Sequence, residues 1–214
     1  MAYNMTKKEL AVKSVELLKT EYPDAICSLN YSDPFQLLIA TRLSAQCTDA
    51  RVNLVTPALF EAFPTAEKMA NAELSVVEEL IKSCGLYKTK ARDLIEIGKG
   101  IMENFGGRVP DTIEELTTLS GVGRKTANLI IGDVYGKPAV VTDTHLIRIA
   151  NRIGLTKQKE PFKVEKELRA ILPPHESNDF CHRAVLHGRE VCTARKAHCE
   201  NCVLKEICKK VNVK

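Results

Sequence analysis

No apolar run in this chain of 214 residues approaches the roughly 20 residues that cross a bilayer. Even IIGDVYGKPAVV is short and broken by Asp133 and Lys137. The opening stretch MAYNMTKKELAVK lacks the apolar core and cleavage motif of a secretory leader. Strand-type alternation is almost missing, and there is no internal repeat or low-complexity linker, which argues against sheet, solenoid and tethered-module architectures. Charge of one sign is also lacking: 31 Lys+Arg against 27 Asp+Glu leave a formal +4, so polyanionic partners are favoured only mildly. These absences leave a soluble, cytoplasmic protein with no membrane role. At 44% hydrophobic, the chain is rich enough for one large or two small packed domains.

What is present is helical. Thr6 with Glu9 has the form of a capping box, followed by Leu10, Val15, Leu17 and Leu18 and stopped by Pro23. Asp33 before Pro34 reads as an N-cap and a first-turn proline. Ser75 with Glu78 is expected to open VVEELIKSC, with Gly85 closing it. Ala91, Leu94, Ile97, Ile101 and Phe105 share one face of a helix from Thr89 to Phe105. Asp111 with Glu114 is expected to cap IEELTTL, and Ser177 to cap NDFCHRAVLHG. About ten helices with short connections give an all-α fold. Pro138–Thr142 is an isolated extended connector.

Eight cysteines in a reducing compartment point to metal more than to disulfides. Four fall together as Cys192-x6-Cys199-x2-Cys202-x5-Cys208, in a segment too polar to be a core. Four thiolates suit either tetrahedral zinc or a [4Fe–4S] cubane, and the spacing does not choose. Cys27, Cys84 and Cys181 read as small buried hydrophobes.

Leu119-Ser-Gly-Val-Gly-Arg-Lys-Thr-Ala127 lies between two helical segments. Gly121 and Gly123 allow a sharp turn that leaves N–H groups at a helix N-terminus, a cradle for a phosphate that reads no sequence. The spacing is not that of a P-loop. Lys125, in the first turn and beside Arg124, is placed where positive dipole and a neighbouring cation favour a neutral, nucleophilic amine. Eighteen residues on, Val141-Thr-Asp-Thr-His145 puts Asp143 at the end of an apolar run, with Arg148 and Arg152 following. Asp143 reads equally as a cleft carboxylate or as a helix cap.

LSGVGRKTAN, then TDTH, then the cysteine pattern, in this order and spacing, resemble the endonuclease III family of helix-hairpin-helix DNA glycosylases with AP-lyase activity. LSAQCTD (43–49) and CGLYKTKA (84–91) extend the resemblance over nearly the whole chain. It implies a two-domain all-α fold. Residues 27–137 would form a six-helix barrel with the hairpin at about 113–135, residues 1–26 and 138–214 a discontinuous cluster domain, and DNA would lie in the cleft between.

The resemblance further implies one [4Fe–4S] cluster on Cys192, Cys199, Cys202 and Cys208, and a monomer acting on double-stranded damaged DNA in the cytoplasm, on the nucleoid in a prokaryote. Lys125 would attack C1′ as an oxidised pyrimidine leaves, Asp143 would stabilise positive character at the sugar, and β-elimination would cut the strand 3′ to the lesion. Gln46 and Leu86 would fill the gap left by the flipped nucleotide; the alternatives are a helix cap for Gln46 and a core position for Leu86. Gly121, Gly123, Arg124, His145 and the loop residues Arg195 and Lys196 would contact DNA, the loop being otherwise a solvated charged turn. Ser120 and Thr142 stand where the family commonly has proline and valine, which bears on loop rigidity and lesion preference. Two rivals are a monofunctional adenine or thymine-mismatch glycosylase, which Lys125 and the lack of a domain after the cluster oppose, and a non-catalytic redox sensor, which does not need Lys125 and Asp143.

Overall fold

The computed structural model describes residues 5–213, and every regular element among them is helical: eleven α-helices and two short 3-10 turns. Among the described residues no helix is long and apolar enough to cross a membrane. The chain divides into two compact units, Cys27–Tyr135 and Met1–Ile26 with Gly136–Lys214.

The continuous unit contains α2 (Pro34–Leu43), α3 (Asp49–Ala62), α4 (Ala66–Ala70), α5 (Leu74–Leu80), α6 (Tyr87–Phe105), α7 (Ile113–Leu116) and α8 (Arg124–Asp133). Asp33 caps α2 by accepting from the Gln36 N–H at 2.9 Å, with Pro34 in the first turn. Leu37, Leu38, Ile39, Ala40 and Leu43 of α2 are fully buried, and each large aliphatic side chain so removed from water contributes about 1.5–3 kcal/mol. The long helix α6 packs Ala91, Leu94, Ile97 and Ile101 inward against α2, α4 and α5, as its apolar spacing predicts.

The second unit joins α1 (Lys7–Glu21) to α9 (Thr144–Ile153), α10 (Pro161–Ile171) and α11 (Ser177–Glu190). The capping box of α1 forms, with the Thr6 N–H donating to Glu9 Oε2 at 2.7 Å and the Glu9 N–H to Thr6 Oγ1 at 3.3 Å. Leu146, Ile149, Ala150 and Ile153 give α9 one buried stripe, which packs on α11. Glu176 ties the unit together as the carboxylate partner of both Lys19 and Arg183. The connector has no regular structure, Ala139, Val140, Val141 and Thr142 are buried, and the Val141 N–H donates to Cys181 Sγ at 3.3 Å.

Three expected caps are displaced by one or two residues. Glu73 precedes α5 without a side-chain cap, so Ser75 lies inside the helix, and Gly85 falls beyond it in the turns that lead to α6. Thr112, not Asp111, caps α7 through the Glu115 N–H, because its hydroxyl sits three residues before that donor. Ser177 is already helical and donates its hydroxyl to Pro174 O at 2.8 Å, since a 3-10 turn feeds directly into α11. Cys27 is half-buried, whereas Cys84 and Cys181 are buried.

Candidate functional site

The hairpin between α7 and α8 is built around two glycines with different duties. Gly121 has φ +66°, and a Cβ there would sit 2.6 Å from Arg42 Nε. Arg42 is itself paired with Asp93 (Nε to Oδ2 3.0 Å), so the turn closes over a half-buried ion pair. Gly123 is the N-cap of α8, has no side chain to bond the helix N–H groups, and has open space where a Cβ would be. The N-terminus of α8 therefore keeps its positive end for an anion. Arg124 and Lys125 occupy the first two helical positions and both are exposed. Val122 and Leu119 are buried and anchor the turn.

Asp143 is the N-cap of α9: its Oδ1 accepts from the Leu146 N–H at 2.7 Å. The capping role thus exists, and it engages only one oxygen. Two residues on, His145 Nδ1 lies 3.1 Å from Arg148 Nη2. Burial lowers the His145 imidazole below its ordinary 6.5, Arg148 and Arg189 assist, and Asp143 opposes. Arg148 also donates to Cys192 O at 3.2 Å and Gly188 O at 2.8 Å. Arg152 donates to Thr193 O at 2.7 Å and to Cys192 Sγ at 3.2 Å. One face of α9 thereby clamps the loop that starts at Cys192.

That loop closes on itself through a bridge between Cys192 and Ala197 and through Thr193 Oγ1, which donates to Lys196 O at 2.7 Å. Arg195 and Lys196 are exposed at its tip. Cys192, Cys199, Cys202 and Cys208 all line one recess with Ile149 and Leu204. Among the described residues no three His, Cys, Asp or Glu side chains converge tightly enough to hold a single metal ion. The thiols ring a space instead of meeting at a point. Burial raises the Cys202 and Cys208 thiols, and the neighbouring cysteines raise them further; a cationic centre among them would offset that cost. An all-sulfur donor set from four cysteines lining one recess fits an iron–sulfur group.

Gln46 and Leu86 are the third pair. Both are exposed and both have positive φ, +54° and +58°, without being glycine. Leu86 is 59% exposed, so a core position for it is excluded. A left-handed conformation costs such residues about 1–2 kcal/mol each, and strain of this kind collects at working surfaces. Their loops touch: a Cβ on Gly85 would lie 3.2 Å from Gln46 O. Behind them Lys90, fully buried, donates from Nζ to Leu43 O at 2.7 Å at the end of α2.

Residues 39–174 match the family model described as HhH-GPD superfamily base excision DNA repair protein. The chain is 46% identical over 204 residues to the endonuclease III of Synechocystis sp., covering 95% of this chain and 93% of that one. The chain belongs to the endonuclease III family. It is 38% identical over 191 residues to the Escherichia coli K12 endonuclease III, covering 89% and 90%. Among solved structures it superposes on a trapped endonuclease III–DNA covalent intermediate with a TM-score of 0.89 at 38% identity, covering 96% and 97% of the two chains. A thermostable thymine-DNA glycosylase at 22% identity has a TM-score of 0.85 and shares the fold.

The unit Cys27–Tyr135 carries Lys125, Gly121, Gly123, Arg124, Gln46 and Leu86. The other unit carries Asp143, His145, Arg195, Lys196 and the four cysteines. Sequence reasoning missed the ion pair under the hairpin, the carbonyls that Arg148 and Arg152 hold, and buried Lys90. A signal for Lys90 existed: it continues the 94, 97, 101 register of the apolar face of α6.

Proposed function

We propose that this protein is a bifunctional DNA glycosylase and AP lyase that removes oxidised pyrimidines from double-stranded DNA and cuts the strand by β-elimination. The observation that carries the reading is the exposed Lys125 at the second position of α8, directly after an uncapped, glycine-led helix N-terminus. A phosphate seated on Gly121, Gly123 and Arg124 would bring a backbone within reach of that amine. Gln46 and Leu86 would occupy the gap that an extruded nucleotide leaves. Arg195 and Lys196 would add non-specific phosphate contacts, and His145 would contribute a ring nitrogen to the DNA contact.

With the nucleotide extruded, the Lys125 amine attacks C1′, the bond from C1′ to the base breaks, and the base departs with the electron pair and a proton. The sugar ring then opens, the C1′–O4′ bond breaking as O4′ takes a proton, to give an imine between Lys125 and C1′; the imine acidifies C2′, and loss of that proton expels the 3′ phosphate and breaks the strand. Asp143 uses Oδ1 to hold α9 and offers Oδ2 to the positive character that develops at the sugar. Cys192, Cys199, Cys202 and Cys208 would hold one [4Fe–4S] cluster, which supplies a folded, positively tipped loop and not a reaction step. The protein acts as a monomer in the cytoplasm.

Borohydride reduction tests the central claim. Protein, abasic duplex and borohydride are expected to give a gel-stable covalent adduct that Lys125→Gln abolishes together with strand cleavage, while duplex affinity stays within roughly tenfold. Wild-type trapping in Lys125→Gln refutes the assignment. A panel of duplexes bearing oxidised pyrimidines, oxidised purines and mismatches tests the substrate class.

A further inference from the structure

Two cysteines outside the four-cysteine recess lie on the neighbouring loops that carry Gln46 and Leu86. Cys47 follows Gln46 and is half-buried; Cys84 precedes Gly85 and is buried; both are free thiols. Cys47 is close enough to Cys84 to act on its thiol. The backbones that hold them are in contact, as the 3.2 Å approach at Gly85 shows. Each turn is internally fixed, the Cys47 N–H donating to Ser44 O at 3.1 Å and the Cys84 N–H to Ile81 O at 2.8 Å. Two cations, Lys90 and Arg51, lie within electrostatic reach of Cys84 and oppose the effect of its burial.

We infer that Cys47 and Cys84 form a modification site, a reversible disulfide made by peroxides that pins the Gln46 loop to the Leu86 loop. Cys47 is the entry point because it alone reaches solvent. Its thiolate attacks the peroxide oxygen, giving a sulfenic acid and, after protonation, the alcohol or water that leaves. The Cys84 thiol then attacks the sulfenic sulfur, and its proton departs with the hydroxyl as water. The two sulfurs lose two electrons and the peroxide gains them. Burial pushes the Cys84 thiol up to about 11, with Cys47 adding to the effect, which keeps it in reserve until its neighbour is oxidised. Closing a sulfur–sulfur bond of about 2.05 Å between the two free thiols draws the two turns together. Gln46 and Leu86, already in strained conformations, move with them. The link to activity rests on the proposed gap-filling role of those two residues; the disulfide itself does not.

The holoenzyme, its visible absorbance monitored to confirm an intact cluster, is treated with a small excess of hydrogen peroxide. It is then blocked with a thiol alkylator, digested and analysed by mass spectrometry, with and without dithiothreitol. The expected result is one dithiothreitol-reversible crosslink between the peptides containing Cys47 and Cys84, with lesion excision slowed about tenfold or more, as displacement of positioning groups does. Cys47→Ser, a half-exposed position, and Cys84→Ala are each expected to stay active and become insensitive to peroxide. Recovery of alkylated Cys84 beside sulfinic Cys47, with no crosslink, overturns the proposal. A crosslink that leaves excision unchanged supports the disulfide and overturns the gap-filling role of Gln46 and Leu86.

Discussion

The two hairpin glycines make an internally controlled test of why the turn has this sequence. Gly121→Ala places a methyl group 2.6 Å from Arg42 Nε and 3.2 Å from its Cδ, at φ +66°. The left-handed backbone alone costs a non-glycine residue about 1–2 kcal/mol. Arg42 can make room only by leaving Asp93, and both side chains are under one-fifth exposed, so losing that charged hydrogen bond adds about 1.5–3 kcal/mol. Some relaxation is available, and the combined cost is about 2–4 kcal/mol. For a chain of this size each kcal/mol moves the melting midpoint by about 2–4 °C, which places the variant about 5–15 °C below wild type. Gly123→Ala meets no atom within 4 Å and replaces one acceptable N-cap with a poorer one, costing under about 1 kcal/mol. Thermal melts followed by far-UV circular dichroism on both variants decide the matter. If Gly121→Ala melts at or above Gly123→Ala, the close approach to Arg42 does not constrain the turn and the reasoning fails.

Asp143→Asn is expected to preserve the melting midpoint, because asparagine caps as well as aspartate, while single-turnover base release falls by about 10²–10³; unchanged turnover would leave Asp143 as a cap only. Serine at Cys192, Cys199, Cys202 or Cys208 should remove the brown iron–sulfur absorbance, whereas serine at Cys27, Cys84 or Cys181 should not; a colourless, folded, zinc-loaded wild type refutes the metal assignment. Because burial holds His145 below its ordinary 6.5, the ring is neutral above that pH and gains a proton only on further acidification. Pre-steady-state excision by His145→Gln between about pH 6.5 and 8 should therefore run parallel to wild type, and a wild-type limb that disappears in the variant contradicts this.

Local chemistry was the legible part of the fold. The pairing of Thr6 with Glu9 and of Asp33 with Pro34 each lie within one helical turn, so composition and spacing suffice to place them. Where two candidate caps stood side by side, as with Asp111 and Thr112, the choice depended on which residue left the helix, and that is set by packing. The conformations of Gln46 and Leu86 were invisible because neither is a residue that favours positive φ; the surrounding turns impose it. The contacts of Lys90 with Leu43 and of Gly121 with Arg42 join residues 47 and 79 positions apart, distances over which no sequence period speaks.

The division of the chain has a consequence for its synthesis. Cys27–Tyr135 is uninterrupted and holds its own buried helix α2, so it is equipped to fold while the rest is still on the ribosome. Helix α1 is made first, yet the surfaces it packs on, α10 and α11, end only at Ile171 and Glu190. The four cysteines of the recess follow later still. Helix α1 must therefore wait with Leu10 and Leu18 unburied until α10 and α11 have been made. Truncation before α10 would strip that first helix of both of these partners.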